Sequence, residues 1–258
     1  MTWLKLTKQA LYLMKGGSAQ YIDKVDLTAI SDKESKLHIP LKWFQVSDSD
    51  APSGLVVAFE SASEPEKLEI PSDGFDAAGV LNRVISTRDW GARGPRTQFG
   101  MTTPRYIVIH HTFSLTASGN QSESAAKTLA RNIQNFHMDN NGWSDSGHNF
   151  LNTTGGFTLE GRHGTLGNIK NGLCVRSAHA PGANDSPGIE NEGDFRTAAM
   201  GATQWNSLVD LCAAICKSCS IDPNNIKGHR DFVATECPGD WLYGQLPKLR
   251  NEVRNNLG

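Results

Sequence analysis

The sequence predicts an α/β fold, a central mixed β-sheet flanked by helices, preceded by a small β-rich amino-terminal domain. Three observations carry this expectation. The run Tyr106-Ile107-Val108-Ile109 is aromatic and β-branched and ends in His110-His111-Thr112, the composition of a buried strand. Ala125, Leu129, Ile133 and Phe136 recur at helical spacing. Residues 1–70 instead alternate short β-prone runs with turn-rich segments.

Taken in chain order, the runs at 10–14, 21–22, 37–41 and 55–59 predict a small barrel or sandwich over residues 1–70. Its expected role is ligand binding, as in SH3-like modules, or packing and attachment to a delivery or secretion partner. Pro71-Ser72-Asp73-Gly74 opens a linker with a short helix at 75–84, so that the second domain occupies 86–258. Pro104 limits the backward extent of the strand that ends at the histidine pair. A helix then covers 123–138. Strands at 149–152 and 157–160 join through Gly155-Gly156 as a hairpin, Ile189 lies on a further strand, and helices occupy 203–218 and part of 241–257.

Composition narrows the function classes. The chain has 258 residues, a formal net charge of −2 and 38% hydrophobic content, which suits an ordinary buried core. No basic face suggests nucleic acid, and no long apolar span suggests membrane insertion. The first eight residues, Met1 to Lys8, lack the apolar run of a secretory signal. Action at a cell wall, in a periplasm or outside the cell would then require a removed leader, leaderless export or release by lysis. Cys212, Cys216 and Cys219 share helical spacing with Trp205, Leu208, Leu211 and Ile215 and read as core positions, while Cys174 has no assignment. Five cysteines exclude a fully paired disulfide framework.

The chemistry concentrates near the carboxyl end. Gly228-His229-Arg230-Asp231 is followed by Cys237-Pro238-Gly239, offering an imidazole and a thiol to one metal ion. Eight residues of helix would separate their alpha carbons by ~12 Å, too far for tetrahedral ligands, so the segment must bend as a loop. A third ligand is available from the histidine pair at the strand end. Alternation puts His110 and His111 on opposite faces and does not choose between them.

Together these motifs resemble the zinc-dependent N-acetylmuramoyl-L-alanine amidases that share a fold with peptidoglycan recognition proteins and phage-type amidase lysozymes. The resemblance runs from about Ser86 to Gly244. It includes Arg88-Asp89-Trp90-Gly91-Ala92-Arg93, Ile109-His110-His111-Thr112, Phe136-His137-Met138-Asp139, Gly142-Trp143, Gly147-His148-Asn149-Phe150, Glu160-Gly161-Arg162, Ala178-His179-Ala180 and the His229 to Gly239 segment. It implies that His110, His229 and Cys237 bind Zn2+ and that a peptidoglycan or muropeptide substrate lies in the groove above. The expected activity is hydrolysis of the amide between N-acetylmuramic acid and L-alanine. The alternative is a receptor of the same fold that binds muropeptides without cutting them, and Cys237 favours catalysis because receptors of that kind typically lack the cysteine.

Two positions depart from the family pattern. His148 stands where a tyrosine is frequent, and Thr235 stands where some phage enzymes carry lysine. Both are candidate catalytic residues, with His148 the first choice of proton donor, water relayed through Thr235 the second, and a carboxylate such as Glu192 the third. His137, Trp143, Asn149 and His179 are candidate substrate-binding residues. For His137 and Trp143 the competing role is packing at the helix end and the following turn, and His179 is equally open to a structural part.

Overall fold

The computed structural model describes residues 2–6, 11–15, 18–23, 55–58 and 75–258. By internal contacts the chain divides into two units, Met1–Ile70 and Pro71–Gly258. In the first unit, strands β1 (Thr2–Leu6), β2 (Leu11–Lys15), β3 (Ser18–Asp23) and β4 (Leu55–Ala58) form an antiparallel sheet in the order β3-β2-β1-β4. The β-prone run at 37–41 lies outside the described residues, as do the side chains on which an SH3-like or wall-binding role would rest.

The second unit is built on a mixed sheet, as its sequence predicts. Strands β6 (Ile107–His111), β7 (Phe150–Asn152), β8 (Thr158–Glu160), β10 (Gly188–Asn191) and β11 (Ile226–Gly228) lie in the order β11-β6-β10-β7-β8. All neighbours are parallel except the β7–β8 hairpin. A separate antiparallel pair joins β5 (Met101–Thr102) to β9 (Cys174–Val175).

Helices cover both faces. Ile107, Ile109, Phe150 and Ile189 point to one side, where α1 (Ala77–Asn82), α4 (Ala202–Cys219) and α6 (Leu246–Leu257) bring Val80, Leu81, Leu208, Leu211, Ile215, Leu249 and Val253. Each of those four strand residues is fully buried, and such burial is worth ~1.5–3 kcal/mol per side chain. The opposite face packs α2 (Glu123–Asn135) through Ala126, Leu129, Ala130 and Ile133 onto Leu151 and Leu159. Trp90 completes this second cluster, its indole N–H donating to the Glu160 carbonyl at 2.7 Å. The Arg88 to Arg93 motif is therefore an anchor for the hairpin.

Three differences from the sequence expectation matter. The helix expected over 123–138 ends at Asn135, because Asn141 N–H bonds back to the Phe136 carbonyl and the chain widens into a π-helical turn over Phe136–Asn140. That turn carries His137. A short helix, α3 (Thr165–Lys170), follows the hairpin, and the terminal helical region divides at Gln245 into α5 (Asp240–Gly244) and α6. Cys212 and Cys216 are buried on α4, and burial raises the Cys216 thiol to about 12, consistent with apolar core positions. No helix among the described residues is long and apolar enough to cross a membrane.

Candidate metal centre and groove

The parallel order makes β6 and β11 neighbours, so His110 near the end of one and His229 just past the end of the other are brought together. Their ring centroids are 4.3 Å apart. His229 opens a 3-10 turn in which Asp231 Oδ2 accepts the Gly228 N–H at 2.8 Å, and Tyr243 donates its hydroxyl to Asp231 Oδ1 at 2.5 Å. The loop then bends back, as its spacing requires. Arg230 bridges it, reaching Asp240 at 2.7 Å and donating to the Glu236 carbonyl.

This bend carries Cys237 to the two imidazoles. The ligand atoms of His110, His229 and Cys237 all lie within 4.8 Å of one another. Cys237 Sγ is 3.6 Å from His110 Nδ1. Bonds of ~2.3 Å to sulfur and ~2.0–2.1 Å to nitrogen give a tetrahedral edge of about 3.6 Å, so the spacing suits zinc. The donor chemistry agrees, since a thiolate with two imidazoles is a poor site for the oxygen-seeking cations magnesium and calcium.

The choice left open by alternation is resolved. His110 faces the cysteine, whereas the ring of His111 accepts the Phe195 N–H at Nδ1, 3.3 Å away. His111 contributes through its backbone instead, donating its N–H to Cys237 Sγ at 3.4 Å. Burial, with His179 and His229 nearby, holds His110 well below the usual histidine range, which keeps it neutral and able to ligate. Burial also pushes the Cys237 thiol up to about 12. Such a thiol ionises at neutral pH when a cation sits against it, so the pocket fits a metal better than a free nucleophile.

His148 lies beside this trio in an almost fully buried position. Its ring rests on Gly161, where a Cβ would come within 2.5 Å of the imidazole, so glycine leaves the space that the ring occupies. Burial, with His137 and His179 nearby, keeps His148 well below its ordinary range. Its Nδ1 is 3.3 Å from Glu190 Oε2 but not aligned for a hydrogen bond, leaving that nitrogen without a hydrogen-bond partner among the described residues. Glu190 pairs in register with His110 on adjacent strands, and burial raises its carboxyl to about 8.

Sequence reasoning passed over Glu190 and named Glu192. Alternation puts Glu190 and Glu192 on the same side, opposite the core residue Ile189, and so does not choose between them. Glu192 is corrected to a structural role: its oxygens accept the Ala117 N–H at 2.6 Å and the Thr154 N–H and hydroxyl at 2.9 and 3.1 Å. Asn149 is corrected in the same way. It is fully buried, its Nδ2 donates to Thr165 Oγ1 and the Val175 carbonyl, and its Oδ1 accepts the Gly188 N–H, so its amide is occupied inside the protein, which favours a structural role.

The other candidates fall around the groove. Trp143 is half-buried, lies over Gly147 and packs 4.8 Å from the His137 ring. His137 accepts the Gly147 N–H at Nδ1 and is nearly buried, which favours the packing role anticipated for it. Thr235 Oγ1 accepts the Cys237 N–H at 3.2 Å, bracing the ligand loop while leaving its own proton to donate. His179 bonds His110 directly, with Nδ1 2.9 Å from His110 Nε2.

Burial holds both His137 and His179 at about 4. An unfolded histidine takes its proton near ~6.5, so between that value and ~4 the unfolded chain binds more protons. Stability is then complete above ~6.5 and declines as pH falls through the window, by at most ~3 kcal/mol per residue. The melting temperature of metal-free protein should drop steadily from about pH 7 to about pH 4. A flat profile would contradict the neutral, buried state of these rings.

Comparison with known proteins agrees with this architecture. The family profile described as N-acetylmuramoyl-L-alanine amidase matches residues 100–240. Peptidoglycan-recognition protein SC2 of Drosophila melanogaster is 33% identical over 183 residues, covering 69% of this chain and 92% of its own length. Peptidoglycan recognition protein 1 of Bos taurus is 31% identical over 175 residues, covering 66% and 85%. Among solved structures, wild-type Drosophila PGRP-LB superposes with a TM-score of 0.54 at 33% identity, covering 64% of this chain and 92% of that one. PGRP-LE in complex with tracheal cytotoxin, a monomeric diaminopimelic acid-type peptidoglycan, gives 0.56 at 26% identity, covering 65% and 94%.

Proposed function

The chain belongs to the N-acetylmuramoyl-L-alanine amidase family, and from that premise we propose that it is a zinc-dependent hydrolase cutting the amide between N-acetylmuramic acid and L-alanine in peptidoglycan or its fragments. The observation that carries the proposal is the His110, His229 and Cys237 cluster, with Cys237 Sγ 3.6 Å from His110 Nδ1, beside the buried His148 and the partly exposed Glu190 carboxyl. A receptor needs a groove but not this chemistry.

In this reading His110, His229 and Cys237 hold the ion. Zinc bound there would polarise the amide carbonyl and lower the pKa of an attacking water. The His111 N–H steadies the negative sulfur of Cys237. Glu190, with a carboxyl raised to about 8, holds a proton near neutrality that the departing amine requires. His148 stays neutral and offers a donor or acceptor to the same exchange. Thr235, whose Oγ1 accepts the Cys237 N–H, keeps a hydroxyl proton that it can offer to a developing oxyanion. The half-buried Trp143, backed by the His137 ring, offers an aromatic face on which a sugar or stem peptide can rest.

Mass spectrometry of a muropeptide digest tests the reading. Zinc-loaded protein should release free stem peptides beginning at L-alanine, leaving glycans with intact lactyl groups. Uncut muropeptides recovered bound to the protein after prolonged incubation would replace the hydrolase with the receptor reading.

A further inference from the structure

We propose that His179 is a positioning residue that sets the tautomer of His110 and so aims Nδ1 of that ring at the metal. The proposal rests on the reading of His110, His229 and Cys237 as metal ligands. Its physical basis is a chain of contacts running away from the site.

His179 Nε2 lies 2.9 Å from the Ser186 carbonyl oxygen, and a carbonyl can only accept. That nitrogen must carry the proton. A neutral His179 is then bare at Nδ1, which sits 2.9 Å from His110 Nε2. His110 must donate at Nε2 and is left bare at Nδ1, the atom 3.6 Å from Cys237 Sγ. Reversing the chain would set a bare nitrogen against a carbonyl oxygen in a buried place, at a cost of about 1–3 kcal/mol for each unsatisfied group. Protonating both nitrogens of His179 would bury a charge, a cost that outweighs the favourable influence of Asp185.

The acceptor that starts the chain is itself held firmly. Ser186 is fully buried, its Oγ accepts the N–H groups of Arg105 and Tyr106 at 3.0 and 3.3 Å, and the next carbonyl, of Pro187, accepts Val108 N–H at 2.9 Å. The relay therefore starts on the segment leading into β10, is pinned there by the residues leading into β6, and ends on β6 at His110. Gly188 supplies a second, independent constraint. A Cβ there would stand 2.5 Å from Cγ and Cδ2 of His179, so the ring lies flat against bare backbone and has no room to turn.

Outer-shell partners of this kind typically change metal affinity by ~10–100-fold. Long-range proton–nitrogen NMR on the metal-free wild-type protein near neutral pH should show His110 and His179 both protonated at Nε2 and bare at Nδ1. His179→Phe, which keeps a flat ring and removes both polar contacts, should give a mixed His110 tautomer and weaken zinc binding ~10–100-fold in competition with a chromophoric chelator. His179→Gln, able to donate to Ser186 and accept from His110, should restore most of the affinity. A wild-type His110 protonated at Nδ1 would overturn the proposal whether or not the phenylalanine variant folds. So would folded His179→Phe protein with wild-type zinc affinity. A wild-type protein that binds no zinc yet shows the expected tautomers would instead count against the metal site itself.

Discussion

Cys237→Ala is expected to eliminate release of stem peptides while leaving the metal-free fold intact. The sulfur lies 3.6 Å from His110 Nδ1 and receives the His111 N–H, so the substitution removes one of three ligands and the only one that brings negative charge. Loss of an outer-shell partner costs ~10–100-fold, and loss of a direct ligand should exceed that range in both zinc affinity and kcat/KM. The loop has other supports. Arg230 bridges Asp240 and the Glu236 carbonyl, and Tyr243 holds Asp231, with no part played by the thiol. The melting temperature of the metal-free variant should therefore stay close to that of metal-free wild type. Chelation of wild type should reproduce the loss of activity, and added zinc should rescue wild type but not the variant. Stem peptides released at the wild-type rate by Cys237→Ala would remove the metal centre from the mechanism.

His229, Cys237 and the histidine pair were legible as a candidate cluster because their signals are local, and the family resemblance chose His110. A β-branched run ending in histidines reads as a buried strand, and an imidazole and thiol too far apart for one helical turn demand a loop. What alternation could not decide, His110 against His111, depended on which face of β6 meets the following loop of β11. That strand has only Ile226 and Gly228 flanking Lys227, too short a pattern to announce itself. Glu190 and Glu192 show the same limit more sharply. Both are carboxylates on one short segment, and a single-sequence pattern cannot tell a carboxyl aimed at a histidine from one that collects backbone N–H groups. Asn149 looked functional through its neighbours His148 and Gly147, yet its amide is used in buried hydrogen bonds to Thr165, Val175 and Gly188. The π-helical turn at 136–140 was invisible for a different reason, since it depends on a backbone bond to Asn141 beyond the apolar stripe.

Glu190→Gln tests the part of the site that the sequence concealed. The substitution keeps the shape of the side chain and removes its ability to exchange a proton, and no ligand is lost. Zinc affinity should remain near wild type, whereas kcat should fall ~10²–10⁴-fold, the usual span for general acid or base catalysis. The pH dependence gives the sign. Burial places the Glu190 carboxyl at about 8, so a proton donated from it is available below that value and lost above it. Wild-type kcat should decline as pH rises through this region, and the variant should lack that limb. His148 cannot supply it, because burial holds its imidazole far below, neutral across the same range. Glu192→Gln provides the contrast. Its carboxylate binds Ala117 and Thr154, so the variant should lose stability and retain both kcat and the alkaline limb. If Glu190→Gln kept wild-type kcat with an unchanged profile, Glu190 would not be the proton donor.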